Sequence, residues 1–196
     1  MKILGLTGSI GMGKSTAATM MRRMGVPVHD ADATVHRLMG PGGAAVAAVG
    51  AAFPGTVIKD CIDRAALGRR VFGDPGQLRR LEKILHPLVR QAESRFLKQW
   101  RIRRVPLVVL DIPLLFETGG QARCDKVAVV TCPAFLQTQR VLKRPGQTMD
   151  RLAAIRAQQM PDWKKRHLAD YVIPTGLGKA PAWRALEALV KEMSHA

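Results

Sequence analysis

The sequence predicts an α/β fold built on a doubly wound parallel sheet, and three observations carry that expectation. Residues 8 to 16 read Gly8-Ser9-Ile10-Gly11-Met12-Gly13-Lys14-Ser15-Thr16, a complete G-x-x-x-x-G-K-[ST] loop between an apolar run and a helix-forming run. Leu107-Val108-Val109-Leu110 and Val127-Ala128-Val129-Val130 are continuous aliphatic stretches, the pattern of parallel strands buried on both faces. Segments of helical character separate these runs, as crossovers between parallel neighbours require.

In order, a strand is expected over 2–7, then the glycine loop, then a helix over 14–24. A short strand, Val26-Pro27-Val28-His29, leads into Asp30-Ala31-Asp32. Helical stretches at 33–39 and 44–52 are separated by Gly40-Pro41-Gly42-Gly43, and Asp63 is placed to cap a helix over 64–72. Gly73-Asp74-Pro75-Gly76 ends it, and helices over 77–85 and 87–101 follow, broken at His86-Pro87. Strands at 107–111 and 126–131 flank a turn, a basic helical segment covers 134–167, and Tyr171-Val172-Ile173 forms a last strand. An amphipathic helix over 181–193 closes the chain.

Two stretches interrupt the alternation. The one between the second and third strands is far too long for a normal crossover. Both leave from the carboxyl edge of the sheet, where ligands bind in such folds. The expected organisation is a core of about 1–29, 105–135 and 168–196, a helical acceptor-binding insert of about 30–104, and a helical lid of about 136–167.

The chain's 196 residues, 47% of them hydrophobic and 23% charged, suffice for a real core and exclude a disordered chain. Cys61, Cys124 and Cys132 are too scattered for a disulfide framework or zinc site and suit a reducing compartment. No charged and apolar leader precedes the first strand, so a secretory signal is not expected. The longest apolar stretch, Val105 to Phe116, carries Asp111 and two prolines, so no membrane span is expected. Cytoplasmic location follows as the expectation. Lys and Arg number 31 against 15 Asp and Glu, a net charge of +16. Such charge suits nucleic acid, a membrane surface or polyanionic small molecules such as polyphosphate substrates, and does not decide among them. With aromatics at 5% and no stacking platform or finger motif, nucleic acid is not the expected partner.

The loop's chemistry can be read directly. Gly8, Gly11 and Gly13 permit backbone conformations and a close approach that side chains would block. Successive N–H groups, those of Met12 and Thr16 among them, then form an anion nest at the positive end of the following helix. Lys14 would reach the terminal phosphates of a nucleoside triphosphate, and the Ser15 hydroxyl would hold Mg²⁺. Asp30 and Asp32 follow the second strand. If that segment stays extended, residues i and i+2 face the same way and both carboxylates can point toward the loop. One of them would orient an acceptor hydroxyl and take its proton, while the alternative for either is a helix cap and, for Asp30, also a water-mediated magnesium contact. Asp111 ends a buried strand where a Walker B acid would lie. Arg140 and Arg144 are four apart, which on one helix puts both on a shared face able to close over a triphosphate. Lys164-Lys165-Arg166 reads as a solvated charge run.

Along nearly its whole length the chain resembles the dephospho-coenzyme A kinases. The resemblance rests on the loop, Asp30-Ala31-Asp32, His86-Pro87-Leu88 and Leu110-Asp111-Ile112-Pro113-Leu114-Leu115-Phe116-Glu117, in that order. It continues through Gln137, Arg140 and Arg144, then Gln159-Met160-Pro161 and Ala169-Asp170-Tyr171-Val172-Ile173. It implies transfer of the ATP γ-phosphate to the ribose 3′-hydroxyl of dephospho-coenzyme A, with Asp32 as base. It implies contacts to the acceptor from Asp30, His86, Asp111 and Leu114, and a chain working as a monomer on small molecules. The sequence departs from the pattern at Arg144-Pro145, where an Arg-Asp is common, and at Thr175-Gly176, where an Asn is common. The chain contains no asparagine, so the Asn-Lys-x-Asp guanine reader is impossible. The alternatives are another small-molecule kinase, of nucleosides or nucleotides, and a basic nucleic-acid-stimulated ATPase.

Overall fold

The computed structural model describes residues 1–195. Its elements run β1 (Lys2–Thr7), α1 (Lys14–Arg23), β2 (Val28–Asp30), α2 (Ala31–Met39), α3 (Val46–Ala52), β3 (Val57–Ile58) and β4 (Cys61–Ile62). They continue with α4 (Arg64–Val71), α5 (Pro75–Ile102), β5 (Leu107–Asp111) and β6 (Lys126–Thr131). After these come α6 (Ala134–Leu142), α7 (Met149–Gln158), α8 (Asp162–Leu168), β7 (Tyr171–Pro174) and α9 (Lys179–His195). The chain forms two compact units, Met1–Asp30 with Trp100–Ala196, and Ala31–Gln99.

The first unit is a parallel sheet in the order β2-β5-β1-β6-β7. Strands of period two supply both faces. Leu4, Leu6, Ala128 and Val130 pack with Ala18 and Met21 of α1 and Leu186 and Leu189 of α9. The alternate residues Val127 and Val129 pack on the other side with Leu115 and Phe116. Every residue of β5 is buried, which explains its unbroken aliphatic run. Each large aliphatic side chain so buried contributes roughly 1.5–3 kcal/mol. The register sets Asp111 opposite Leu6 on one side and Asp30 on the other, so β5 ends between the two strands that precede α1 and α2.

The second unit is helical around Met39, Val46, Val49, Phe53, Ile62, Leu67, Leu81 and Leu85. Its hairpin β3–β4 turns through Lys59 and Asp60, both at positive φ, as a two-residue turn between twisted strands requires. Asp63 caps α4, accepting from the amides of Ala65 at 2.9 Å and Ala66 at 3.1 Å. Asp74 does the same for α5, which opens on Pro75.

One expectation fails here. The sequence reading breaks a helix at His86-Pro87, whereas α5 runs through Pro87 without interruption. An interior proline removes one backbone hydrogen bond and costs about 3 kcal/mol. Leu81 and Leu85, buried along the same helix, offset that cost, and tertiary packing overrides local propensity.

Candidate active site

The glycine loop lies between β1 and α1. Met12 N–H donates to Ser9 O at 3.1 Å, closing a turn whose third residue, Gly11, has φ 75°. That is the type II arrangement, which excludes most side chains at this position. Gly13, at φ 93°, is the left-handed residue immediately before α1. A Cβ on Gly8 would lie 2.8 Å from the carbonyl oxygen of Val130, so the loop's entry passes too close to β6 for any other residue. Ser15 and Thr16 are exposed in the first turn of α1, whose N-terminal amides and dipole favour an anion.

Lys14 Nζ lies 2.7 Å from Oδ1 of Asp111. The carboxylate is only 2% exposed. Burial pushes the Asp111 carboxyl above its ordinary 3.8; Lys14 opposes that shift, and neighbouring Asp30 adds to it. Thr7 Oγ1 donates to Pro113 O at 2.9 Å and Ile112 N–H to Leu6 O at 3.0 Å, fixing the turn that follows Asp111. Leu114 is exposed in that turn.

Asp30 is the last residue of β2, 3.8 Å from Arg22 on α1. Asp32 is exposed in the first turn of α2, where a carboxylate complements the helix dipole. The expected extended segment through both residues is therefore not what forms. The chain turns helical at Ala31, and the rule that residues i and i+2 share a face stops at the end of β2. His86 is exposed on α5 in the second unit.

Arg140 lies on α6 and donates to Thr175 twice, Nη1 to Oγ1 at 3.1 Å and Nη2 to the carbonyl at 2.8 Å. Arg144 does not share its helix face, contrary to the sequence expectation. α6 ends at Leu142, because Pro145 disfavours helical geometry in the residue before it, and Arg144 is exposed beyond the end. The charge run at 164–166 is also not uniformly solvated. Lys165 is fully buried and pairs with Glu117 at 2.8 Å, while Lys164 and Arg166 are exposed. Glu117 Oε1 also accepts from Met160 N–H at 2.8 Å, and Thr131 Oγ1 donates to Asp162 at 2.8 Å, so α8 is tied to the end of β6 and to the segment that follows β5.

Sequence reasoning missed the residues that hold the loop from outside. Gln137 Nε2 donates to Ile10 O at 2.8 Å, and Ile10 N–H donates to Gln159 Oε1 at 3.1 Å. Thr175 Oγ1 donates to Met12 O at 2.6 Å. Gln137 and Gln159 stood out only as marks of resemblance, and Thr175 only as a departure. No spacing rule connects residues so distant in sequence.

The family model described as Dephospho-CoA kinase matches residues 2–177. A dephospho-CoA kinase from Rhodospirillum rubrum is 64% identical over 187 residues, spanning 95% of this chain and 89% of that protein. Among solved structures, TT1252 from Thermus thermophilus superposes with a TM-score of 0.82 at 37% identity, covering 97% of each chain. A dephospho-CoA kinase from Campylobacter jejuni gives a TM-score of 0.70 at 25% identity, covering 98% of this chain and 97% of that one.

Proposed function

We propose a residue-level mechanism for this chain from one premise: it belongs to the dephospho-CoA kinase family. Its activity is ATP-dependent phosphorylation of dephospho-CoA at the ribose 3′-hydroxyl, giving coenzyme A and ADP, the final step of coenzyme A synthesis. The observation that carries the mechanism is the Lys14–Asp111 pair at the mouth of a glycine loop that opens onto a helix N-terminus.

In the proposed reaction the 3′-oxygen attacks the γ-phosphorus in line. The new O–P bond forms as the bond to the β,γ-bridging oxygen breaks, and ADP leaves with that electron pair. Asp32 takes the hydroxyl proton, and the acceptor contacts are assigned to Asp30 at the end of β2, Asp111 at the end of β5, Leu114 and His86. Lys14, turning from Asp111 to the phosphates, and Arg140 neutralise charge on the equatorial oxygens. Amides of the stretch from Gly8 to Thr16 cradle the phosphates, and Arg144 is placed at the nucleotide.

The available donors are hard oxygens, a hydroxyl at Ser15 and a carboxylate at Asp111. Among the described residues no group of three or more His, Cys, Asp or Glu forms a metal cage. Such a set fits Mg²⁺ carried mainly by phosphates and water, with Ser15 as its protein ligand. When bound, that ion would neutralise charge on the polyphosphate.

The unit 31–99 is proposed to bind the acceptor. The lid is proposed at 136–167, with α8 tied by Lys165–Glu117 and Asp162–Thr131 and α7 joined to α6 through Arg156 and Gln137. Free thiols at Cys61, Cys124 and Cys132 suit the reducing cytoplasm, the proposed location. A single chain carries every group named, so the proposed active form is a monomer. The test is a coupled kinase assay with dephospho-CoA, adenosine, AMP and shikimate in parallel. Phosphorylation of dephospho-CoA at the 3′-position with poor turnover of the others is expected. Equal turnover of AMP at saturation would overturn the acceptor assignment.

A further inference from the structure

Two carbonyls of the phosphate loop are held by side chains from elsewhere in the first unit. Gln137, 4% exposed, donates to Ile10 O, and Thr175, 9% exposed, donates to Met12 O. A trans peptide holds a carbonyl and the next residue's N–H in one plane, pointing in opposite directions. Holding Ile10 C=O therefore fixes the direction of Gly11 N–H, and holding Met12 C=O fixes that of Gly13 N–H. Local sequence cannot set these directions. Both peptides end in a glycine, for which either sign of φ is accessible, and the two common forms of a four-residue turn differ by a flip of the central peptide.

We propose that Gln137 and Thr175 are positioning residues that aim the Gly11 and Gly13 amides at the phosphates of the nucleotide. The proposal rests on the loop being the ATP site. Each positioning side chain is itself oriented by an arginine. Arg156 donates to Gln137 Oε1 from Nε at 3.1 Å and Nη2 at 2.6 Å. A guanidinium only donates, so it commits that end of the amide as acceptor and turns Nε2 toward Ile10. Arg140 donates to Thr175 Oγ1, so the one hydroxyl proton is left for a carbonyl, and Met12 O at 2.6 Å is nearer than Thr131 O at 3.2 Å. Two cations of the basic segment thus act on the loop through neutral side chains, before any phosphate arrives. Ile10 N–H, held by Gln159, completes the clamp.

The test measures binding of ADP and of inorganic pyrophosphate to the intact chain by calorimetry, with KM for both substrates. Thr175→Val keeps the shape but leaves Met12 O without its donor. It is expected to weaken both ligands by about 5- to 10-fold, the effect of one buried hydrogen bond. KM for dephospho-CoA should stay unchanged, and Thr175→Ser should restore binding. Gln137→Glu keeps an acceptor for Arg156 but removes the donor to Ile10, and should show the same selective loss. Wild-type affinity in both variants would overturn the proposal. So would an equal loss for both substrates that Thr175→Ser does not rescue. A wild-type chain that binds neither ADP nor pyrophosphate would instead overturn the ATP site itself, and the proposal with it.

Discussion

Lys14 Nζ sits 2.7 Å from Asp111 Oδ1, so the loop's lysine is already fixed by an acid at the end of the neighbouring strand. Before nucleotide arrives, the pair limits the rotamer freedom of a flexible ammonium on a four-carbon stem, which exchanges the carboxylate for phosphate when ATP binds. The pair also makes the buried carboxyl tolerable, since Lys14 is what opposes the upward push of burial on Asp111.

Lys14→Ala is expected to lower turnover by about 10²-fold or more, because the contact to the transferring group tightens in the transition state. The fold should persist, but with altered pH dependence. Without Lys14, the Asp111 carboxyl rises further above 3.8, so the folded state holds its proton more tightly than the unfolded one. The resulting loss of stability is absent below the unfolded value and grows as pH rises through the window above it. Chemical denaturation of variant and wild type from acid to neutral pH checks this.

The Glu117–Lys165 pair yields the opposite sign. Burial pushes the Glu117 carboxyl up, but hydrogen bonds from Lys165 and the Met160 amide outweigh it and hold it below 4.5. Its contribution is full above the ordinary value and is lost as pH falls through the depressed one. Glu117→Gln should therefore be less stable than wild type near neutrality and converge with it in acid. A gap independent of pH would contradict this.

Lys164→Ala and Lys165→Ala should differ sharply although they are neighbours. The exposed Lys164 is expected to matter by less than about 0.5 kcal/mol. Removing the buried Lys165 strands Glu117 and should cost about 3 kcal/mol. Thermal melts of the two variants decide it.

Arg140→Ala should depress turnover more than it weakens nucleotide binding, since ordering of the site is completed only with both substrates present. Lys164→Ala is the control. Identical behaviour of the two in steady-state kinetics would remove Arg140 from the reaction.

The sheet could be read from the sequence because a strand buried on both faces leaves no choice of residue, as in Leu107–Leu110. The loop was legible because Gly11 and Gly13 occupy backbone conformations that other residues avoid. The break at Pro87 failed because its cost is local while the packing of Leu81 and Leu85 is not. The pairing of Arg140 with Arg144 failed for the reverse reason. Spacing implied one face, but Pro145 ends the helix first. The clamp on Ile10 and Met12, and the burial of Lys165, arise from contacts between segments far apart in the chain, and no window of sequence contains both partners.

The assignment of Asp32 as base is tested most directly by single-turnover kinetics of Asp32→Asn and Asp30→Asn with both substrates saturating. Asp32→Asn keeps the size of the side chain but removes its charge and proton acceptor. Phosphoryl transfer should slow by about 10²–10⁴-fold, with ATP affinity nearly unchanged. Asp30→Asn should slow it less. An Asp32→Asn chain that transfers at the wild-type rate, with Asp30→Asn the slow one, would contradict the assignment and move the base to the end of β2.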